Sequence, residues 1–570
     1  MLKKRRFAQL IWVLFLLVLP LFLVGEEKGQ GPVTGKNGMV VSVDEYASRV
    51  GVEILKKGGN AVDAAVAVGF ALAVTYPPAG NIGGGGFMII RDPETGESTA
   101  LDFREKAPGR ATPDMYLDDK DKYIQDRSIF GHLAVGVPGT VKGLELVMKK
   151  YGSLDWEEVV APAIALAESG FRLNKKMAMS FNAVRIVKKA GKGFLKIFSK
   201  YDGSLFKEGE IFIQKELAES LRLIAKHGSD AFYRGQIADL IVRDMKKHGG
   251  LITKSDLLEY NAVFRKPVIG TYRGFEIVSM PPPSSGGTIL IEMLNILEGY
   301  KLGEMERYAP ETLRLIAETM KFAFFDRARY MGDKDFGKIP VARLISKDNA
   351  KEIRKKIKTN TVIPSLEIGA EILTLEKGKE TTHYSVIDSA GMAVSTTYTL
   401  NGGYGAFVVA EGTGILLNNE MADFNMKPGY TDDKGMIGTR PNLIAPFKRM
   451  LSSMTPTIVV KDGKTFLITG SPGGRTIINT VLNVLINVID FRMPVQESVD
   501  ALRLNHEWMP DYLCLELEGV PDELIDALKA MGYNLIRRPQ GDAHTIMIDP
   551  KTGLYYGAAD KRFMGSALGY

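Results

Sequence analysis

The chain has 570 residues, 45% of them hydrophobic and 25% charged, with one cysteine and a formal net charge of +6. This is ordinary globular composition, and a single cysteine excludes an intramolecular disulfide. Four of the positive charges are Lys3, Lys4, Arg5 and Arg6, so residues 7–570 carry only +2 (6 − 4), and no nucleic-acid partner is implied.

Residues 7–24, apolar except for Gln9, follow that basic start in the layout of an export signal. The rest of the chain is expected outside the cytoplasm: periplasmic, extracellular or on the outer face of the cytoplasmic membrane. A cut after Gly25 would put bulky Leu23 where a small residue is preferred, so residues 1–25 read either as a signal peptide or as an uncleaved membrane anchor.

Two regions read as antiparallel strands, 38–104 and 381–570. In the first, Phe87 to Ile90 and Ser98 to Phe103 flank the turn Asp92-Pro93-Glu94-Thr95-Gly96. In the second, Ile458-Val459-Val460 and Thr465 to Ile468 flank Asp462-Gly463, and another pair surrounds Asp549 to Gly553. Asp44 can cap a helix ending at Gly58-Gly59, and Asn60 the small-residue helix from Ala61 to Val74. Residues 155–370 read mostly as helix, with amphipathic stretches at Trp156 to Glu168, Glu216 to Ala225, Glu311 to Arg329 and Ala350 to Ile357. Thr476 to Ile489 is helical too, with Ile477, Ile478, Val481, Leu482 and Leu485 on one face and Asn479, Asn483 and Asn487 on the other. This order predicts stacked sheets between helical layers.

Two stretches carry chemistry. In Lys379-Glu380-Thr381-Thr382-His383-Tyr384-Ser385, a bond break before Thr381 would leave one residue with both a nucleophilic hydroxyl and a free α-amine. That amine, with a reference pKa near 8, can take the hydroxyl proton without a histidine. In Gly470-Ser471-Pro472-Gly473-Gly474, which follows a strand and precedes a helix, backbone N–H groups can face a developing negative charge. The six histidines are scattered and none forms an i, i+4 pair around a glutamate, so neither a metal site nor a cofactor is indicated. His383 and His544 read as structural residues within strands. Gly83 to Gly86 is followed by strand rather than the helix of a dinucleotide site.

The strings Thr381-Thr382-His383-Tyr384-Ser385, Thr397-Tyr398-Thr399-Leu400-Asn401 and Gly414 to Phe424 together resemble the γ-glutamyltranspeptidases, in order. Upstream, Gly58 to Ala65, Gly83 to Phe87, Asp102-Phe103-Arg104-Glu105 and Pro281 to Gly287 look like further landmarks of that family; downstream, Leu451 to Thr457 and Gly470 to Gly474 do. The resemblance spans roughly residues 38–570.

It implies an α+β N-terminal-nucleophile hydrolase fold: two stacked antiparallel sheets flanked by helices. It implies self-cleavage between Glu380 and Thr381 into a large subunit, 26–380, and a small catalytic subunit, 381–570, that stay together as one globule. Thr381 would be the nucleophile and Thr399 the residue orienting it, with Gly473 and Gly474 forming the oxyanion hole. Asn401, Glu420 and Asp423 would hold the α-ammonium of a γ-glutamyl donor such as glutathione, and Arg104, Ser452 and Ser453 its α-carboxylate. The acceptor would be water or the amine of an amino acid or peptide. Residues 427–447 are long enough for the family's lid, but Lys434 stands where an aromatic is expected and Tyr430 is the nearest one, which leaves open the balance between hydrolysis and transfer. Alternatives are a cephalosporin (glutaryl) acylase, a poly-γ-glutamate-cleaving relative, or a catalytically inert binding protein on the same fold.

Overall fold

Met39 and Val41 pack to one side of their strand and Val40 to the other, and the same period-two split recurs at Phe87 and Ile89 against Met88 and Ile90. Both faces are apolar, so this strand layer must be covered on both sides. The computed structural model that shows this describes residues 31–358, 361–369, 381–432 and 437–570. The leading segment 1–25, Glu380 and Lys434 lie outside the described residues.

Two seven-stranded sheets are formed from Pro32 onwards. The first runs, edge to edge, Ser566–Gly569, Gly38–Ser42, Thr382–Asp388, Ala393–Thr399, Gly85–Arg91, Ser98–Asp102 and Val263–Arg265. The second runs Val33–Gly35, Tyr555–Ala559, His544–Ile548, Lys464–Thr469, Thr457–Lys461, Phe275–Ser279 and Val268–Tyr272. Neighbours in both are antiparallel, and each sheet is built from strands on both sides of residue 381, which pair directly at Gly38–Ser42 with Thr382–Asp388, at Gly85–Arg91 with Ala393–Thr399 and at Phe275–Ser279 with Thr457–Lys461.

Three apolar layers hold this arrangement. Between the sheets, Met39, Phe87 and Ile89 meet Val278, Ile458 and Ile468. On the far side of the first sheet lie the helices Glu45–Lys56 and Ala61–Thr75; on the far side of the second lie Gly286–Leu297, Pro310–Tyr330 and Thr476–Ile489. Helices therefore flank a pair of stacked sheets, the architecture expected from the sequence. Burying one such side chain contributes about 1.5–3 kcal/mol, so layers of this size carry the fold without a disulfide.

Local signals explain many boundaries. Asp44 accepts the Ala47 N–H at 3.1 Å, and Asn60 with Asp63 closes a capping box at the start of Ala61–Thr75. Asp462 (φ +49°) and Gly463 (φ +78°) make the two-residue turn between Thr457–Lys461 and Lys464–Thr469. The region 155–370 departs from its helical expectation at Val263–Arg265, Val268–Tyr272 and Phe275–Ser279, short strands that occupy edge and next-to-edge places in both sheets. The asparagine face of Thr476–Ile489 is buried as well: Asn483 and Asn487 accept hydrogen bonds from buried Arg307 at 3.0 and 2.6 Å.

Candidate active site

Strand Thr382–Asp388 pairs with Ala393–Thr399 so that Thr382 faces Tyr398 and His383 faces Thr397. Continuing that register by one residue sets Thr381 opposite Thr399, at the open end of the ladder. The hydroxyl of Thr399 accepts the backbone N–H of Asn401 at 2.7 Å, a bond that fits the left-handed turn of Asn401 (φ +73°). The glycine run makes room here, since a Cβ on Gly84 would stand 2.1 Å from the carbonyl oxygen of Thr399.

Thr381, Thr399 and Asn401 line one cavity of about 120 Å³, large enough for an amino-acid-sized group. Arg104, Glu420, Asp423, Ser452, Ser453 and Gly474 line it too, so it gathers nearly every site residue singled out in the sequence. Gly473 adjoins it through Gly474. The strand Ser98–Asp102 delivers Arg104 just beyond its end, and the 3₁₀ turn Glu420–Asp423 presents both acids from one side.

Electrostatics dominate one wall. Arg104 is fully buried; its Nη1 donates to Glu420 and its Nη2 to Asp423 at 2.5 Å and to the Leu451 carbonyl at 3.1 Å. Its Nε donates to the Met450 carbonyl at 3.3 Å, and Glu105 stands 3.7 Å away. Burial works against the Arg104 charge, but Glu420, Asp423 and Glu105 outweigh it and hold the guanidinium above its ordinary pKa. Burial in turn pushes Glu105 up to about 7 and Glu420 well above the usual carboxylate range, despite the attraction of Arg104. Three carboxyl groups thus share one guanidinium. Buried Glu420 Oε2 has no hydrogen-bond partner among the described residues, and a cation bound beside it would favour the charged form that burial disfavours.

Another part of the lining is cationic, and sequence reasoning missed it. Arg327, buried on the long helix Pro310–Tyr330, donates through Nη2 to Ser453 Oγ at 2.8 Å and through Nε to Ser285 Oγ at 2.9 Å. Burial, and then the nearby Arg475, lower its pKa to about 10. Arg475 also lines the cavity and is paired with Glu507 at 2.8 Å. Both arginines stand in stretches that read as ordinary helix or helix start; the hint available was Ser285 in the string Pro281 to Gly287, which here holds Arg327.

Gly473 (φ +128°) and Gly474 (φ +58°) form the turn into helix Thr476–Ile489, whose first turn is closed by Thr476 N–H to the Gly473 carbonyl at 3.2 Å. Among the described residues neither glycine N–H has a hydrogen-bond partner, leaving two free donors at a helix N-terminus beside the cavity. A Cβ on Gly473 would stand 2.4 Å from Thr476 Oγ1, so the position is restricted sterically as well as in φ. From the candidate lid, Ile437, Thr439 and Asn442 reach the cavity, and Thr439 Oγ1 donates to the Ala328 carbonyl at 2.8 Å.

His383 and His544 are buried between the sheets with rings stacked 6.5 Å apart. Burial, and secondarily His544, push His383 well below its ordinary pKa, so it stays neutral.

A family model described as gamma-glutamyltranspeptidase matches residues 47–570. The chain is 47% identical over 538 residues to the glutathione hydrolase proenzyme of Escherichia coli strain K12, covering 94% of this chain and 92% of that protein. It is 46% identical over 552 residues to the glutathione hydrolase proenzyme of Pseudomonas sp. strain A14, covering 95% and 96%. Among solved structures, a cephalosporin acylase from Bacillus halodurans superposes with a TM-score of 0.82 at 28% identity, covering 95% of this chain and 97% of that one.

Proposed function

The chain belongs to the gamma-glutamyltranspeptidase family, and from that membership we infer a glutathione hydrolase and γ-glutamyltransferase made as a proenzyme. The observation that carries the residue-level reading is the convergence on one cavity of Thr381, Thr399, the acidic wall and the glycine turn.

The proenzyme step starts with attack of Thr381 Oγ1 on the carbonyl carbon of Glu380. The Glu380–Thr381 amide breaks as an ester forms on the same threonine, and water hydrolyses that ester to leave a carboxylate on Glu380 and a free amine on Thr381. In turnover that amine accepts the Thr381 hydroxyl proton while Oγ1 attacks the γ-carbonyl of the donor. Negative charge builds on the carbonyl oxygen, where the N–H groups of Gly473 and Gly474 can meet it; one such donor typically contributes about 3–4 kcal/mol. Collapse breaks the C–N bond, the ammonium returns its proton to the leaving amine, and a γ-glutamyl ester remains on Thr381. Water or an acceptor amine then repeats the attack, with the same amine as base.

For head-group binding, the surplus of carboxyl over guanidinium groups at Glu420, Asp423 and Glu105 suits an α-ammonium, with Asn401 alongside. Arg104 offers donors to the α-carboxylate once a ligand competes with its present partners, and Ser452 and Ser453 supply hydroxyls. A glutaryl donor lacks the ammonium and would leave the carboxyl groups in excess of Arg104 without a second cation, which disfavours the acylase reading. Export, by way of residues 1–25, rests on the basic-then-apolar start alone; no helix among the described residues is long and apolar enough to cross a membrane. The reading is tested by comparing γ-glutamyl and glutaryl p-nitroanilides on the self-cleaved protein. A kcat/KM at least tenfold higher for the γ-glutamyl compound is expected, and parity or reversal would sink it.

A further inference from the structure

On the far side of the turn that carries Glu420, the fold joins two histidines that are distant in sequence. His132 opens the short 3₁₀ turn His132–Ala134, while Asp244 and His248 lie one helical turn apart near the end of helix Gln236–His248. Asp244 Oδ2 lies 2.9 Å from His132 Nε2, Asp244 Oδ1 lies 3.1 Å from His248 Nδ1, and the two rings stack 4.6 Å apart. One donor atom from each of the three residues falls within 4.8 Å of the others.

We propose that His132, Asp244 and His248 form a binding site for a divalent transition metal ion, Zn²⁺ or its Co²⁺ and Ni²⁺ analogues. Two imidazoles and one carboxylate suit these ions, whereas Mg²⁺ and Ca²⁺ favour all-oxygen sets. Tetrahedral coordination with bonds of about 2.0–2.1 Å needs donors roughly 3.4 Å apart. The His132–Asp244 edge is already close to that, whereas His248 Nδ1 also meets the Asp244 backbone carbonyl at 3.1 Å. The remaining adjustment, a turn of the ring that frees a nitrogen for the ion, therefore falls on His248, whose side chain is 43% exposed. Asp244 is 4% exposed, so the carboxylate is fixed while the outer histidine can turn. The exposed side leaves a coordination position for water. Lys247, next along the helix, is engaged with Glu411 at 2.7 Å, which offsets its charge near the site.

An ion here would clamp helix Gln236–His248 to the segment supporting the active-site acids. Leu133 packs in the same apolar cluster as Met421, and Asn419 Nδ2 donates to the Ile129 carbonyl at 3.1 Å.

The experiment uses tag-free, self-cleaved protein stripped with a chelator, titrated with Co²⁺ by absorption and with Zn²⁺ by calorimetry. We expect one ion per molecule, a thermal midpoint raised by Zn²⁺ and not by Mg²⁺, and affinity at least tenfold weaker in both His132→Gln and His248→Gln. His248→Gln lies at the surface and should fold, which keeps the test decisive if His132→Gln does not. Absence of a bound ion in the wild type, or equal binding by wild type and the His248→Gln protein, would overturn the site and leave a hydrogen-bonded His–Asp–His cluster.

Discussion

Nδ1 of His383 lies 2.8 Å from Oγ1 of Thr397, across the ladder that ends in Thr381 and Thr399. The histidine is thus tied into the floor beneath the site and held neutral by burial. With no histidine as base, acylation should rise with pH as the Thr381 amine loses its proton, at an apparent pKa near or below about 8. The burst of leaving group from a γ-glutamyl anilide should keep that rising limb in a His383→Gln protein confirmed to be cleaved. Loss of the burst in that protein would require a separate general base.

Intact-mass analysis of the purified protein should reveal a fragment beginning at Thr381. The Thr381→Ala protein should remain one chain, and persistent cleavage in it would remove Thr381 from the self-processing step.

Asp423 contacts Arg104 and lines the cavity while Glu420 lies deeper. Asp423→Ala should raise KM for γ-glutamyl donors more than it lowers kcat, with a total loss in kcat/KM equivalent to about 2–5 kcal/mol. Steady-state kinetics indistinguishable from wild type in a fully cleaved preparation would refute this placement.

A methyl at Gly473 meets Thr476 and an unfavourable φ, so Gly473→Ala should turn its N–H away from the developing oxyanion. The expected loss is about 10²–10³ in kcat with KM changed little. A drop below tenfold would show that this amide is not an oxyanion donor.

Glu105 is raised from 4.5 to about 7 because burial disfavours its charge. A group raised in the folded state binds more protons there than in the unfolded chain, so its contribution is fully present below about pH 4.5 and lost as pH rises through about 7. Glu105→Gln should therefore raise the thermal midpoint relative to wild type at pH 8, and the gain should vanish near pH 4. A gain independent of pH would refute the linkage.

Much of this was legible locally. Asp44, Asn60 and the Asp462-Gly463 turn act within a few residues of themselves, so the chain states those boundaries outright. Thr381 and the glycines at 473 and 474 stood out through the family strings around them, since a lone threonine at a strand start or a glycine turn is common by itself; the fold brings Thr381 and Gly474 to one cavity. Arg327 and the His132–Asp244–His248 cluster were not, since each acquires meaning only from partners that the fold supplies. Likewise Val263–Arg265 and Phe275–Ser279 are too short to announce themselves beside Pro267 and the Arg273-Gly274 turn. The ion pairs of Arg104 with Glu420 and Asp423 were hidden for the same reason: the family strings name the charges but not which of them meet when no substrate lies between.

The interleaving of strands from either side of residue 381 bears on how the mature protein ages. Gly38–Ser42 is clasped between Thr382–Asp388 and Ser566–Gly569, and Gly85–Arg91 lies against Ala393–Thr399. With the proposed cleavage before Thr381, these ladders would join two separate polypeptides, and any unfolding that opens them would release two molecules whose reunion depends on concentration. The connection that guided the original folding is then gone. Endurance of the cleaved form should accordingly be set by the height of its unfolding barrier rather than by an equilibrium with a refoldable state. On the proposed processing, each molecule would in effect fold once, as a precursor, and last until it first comes apart.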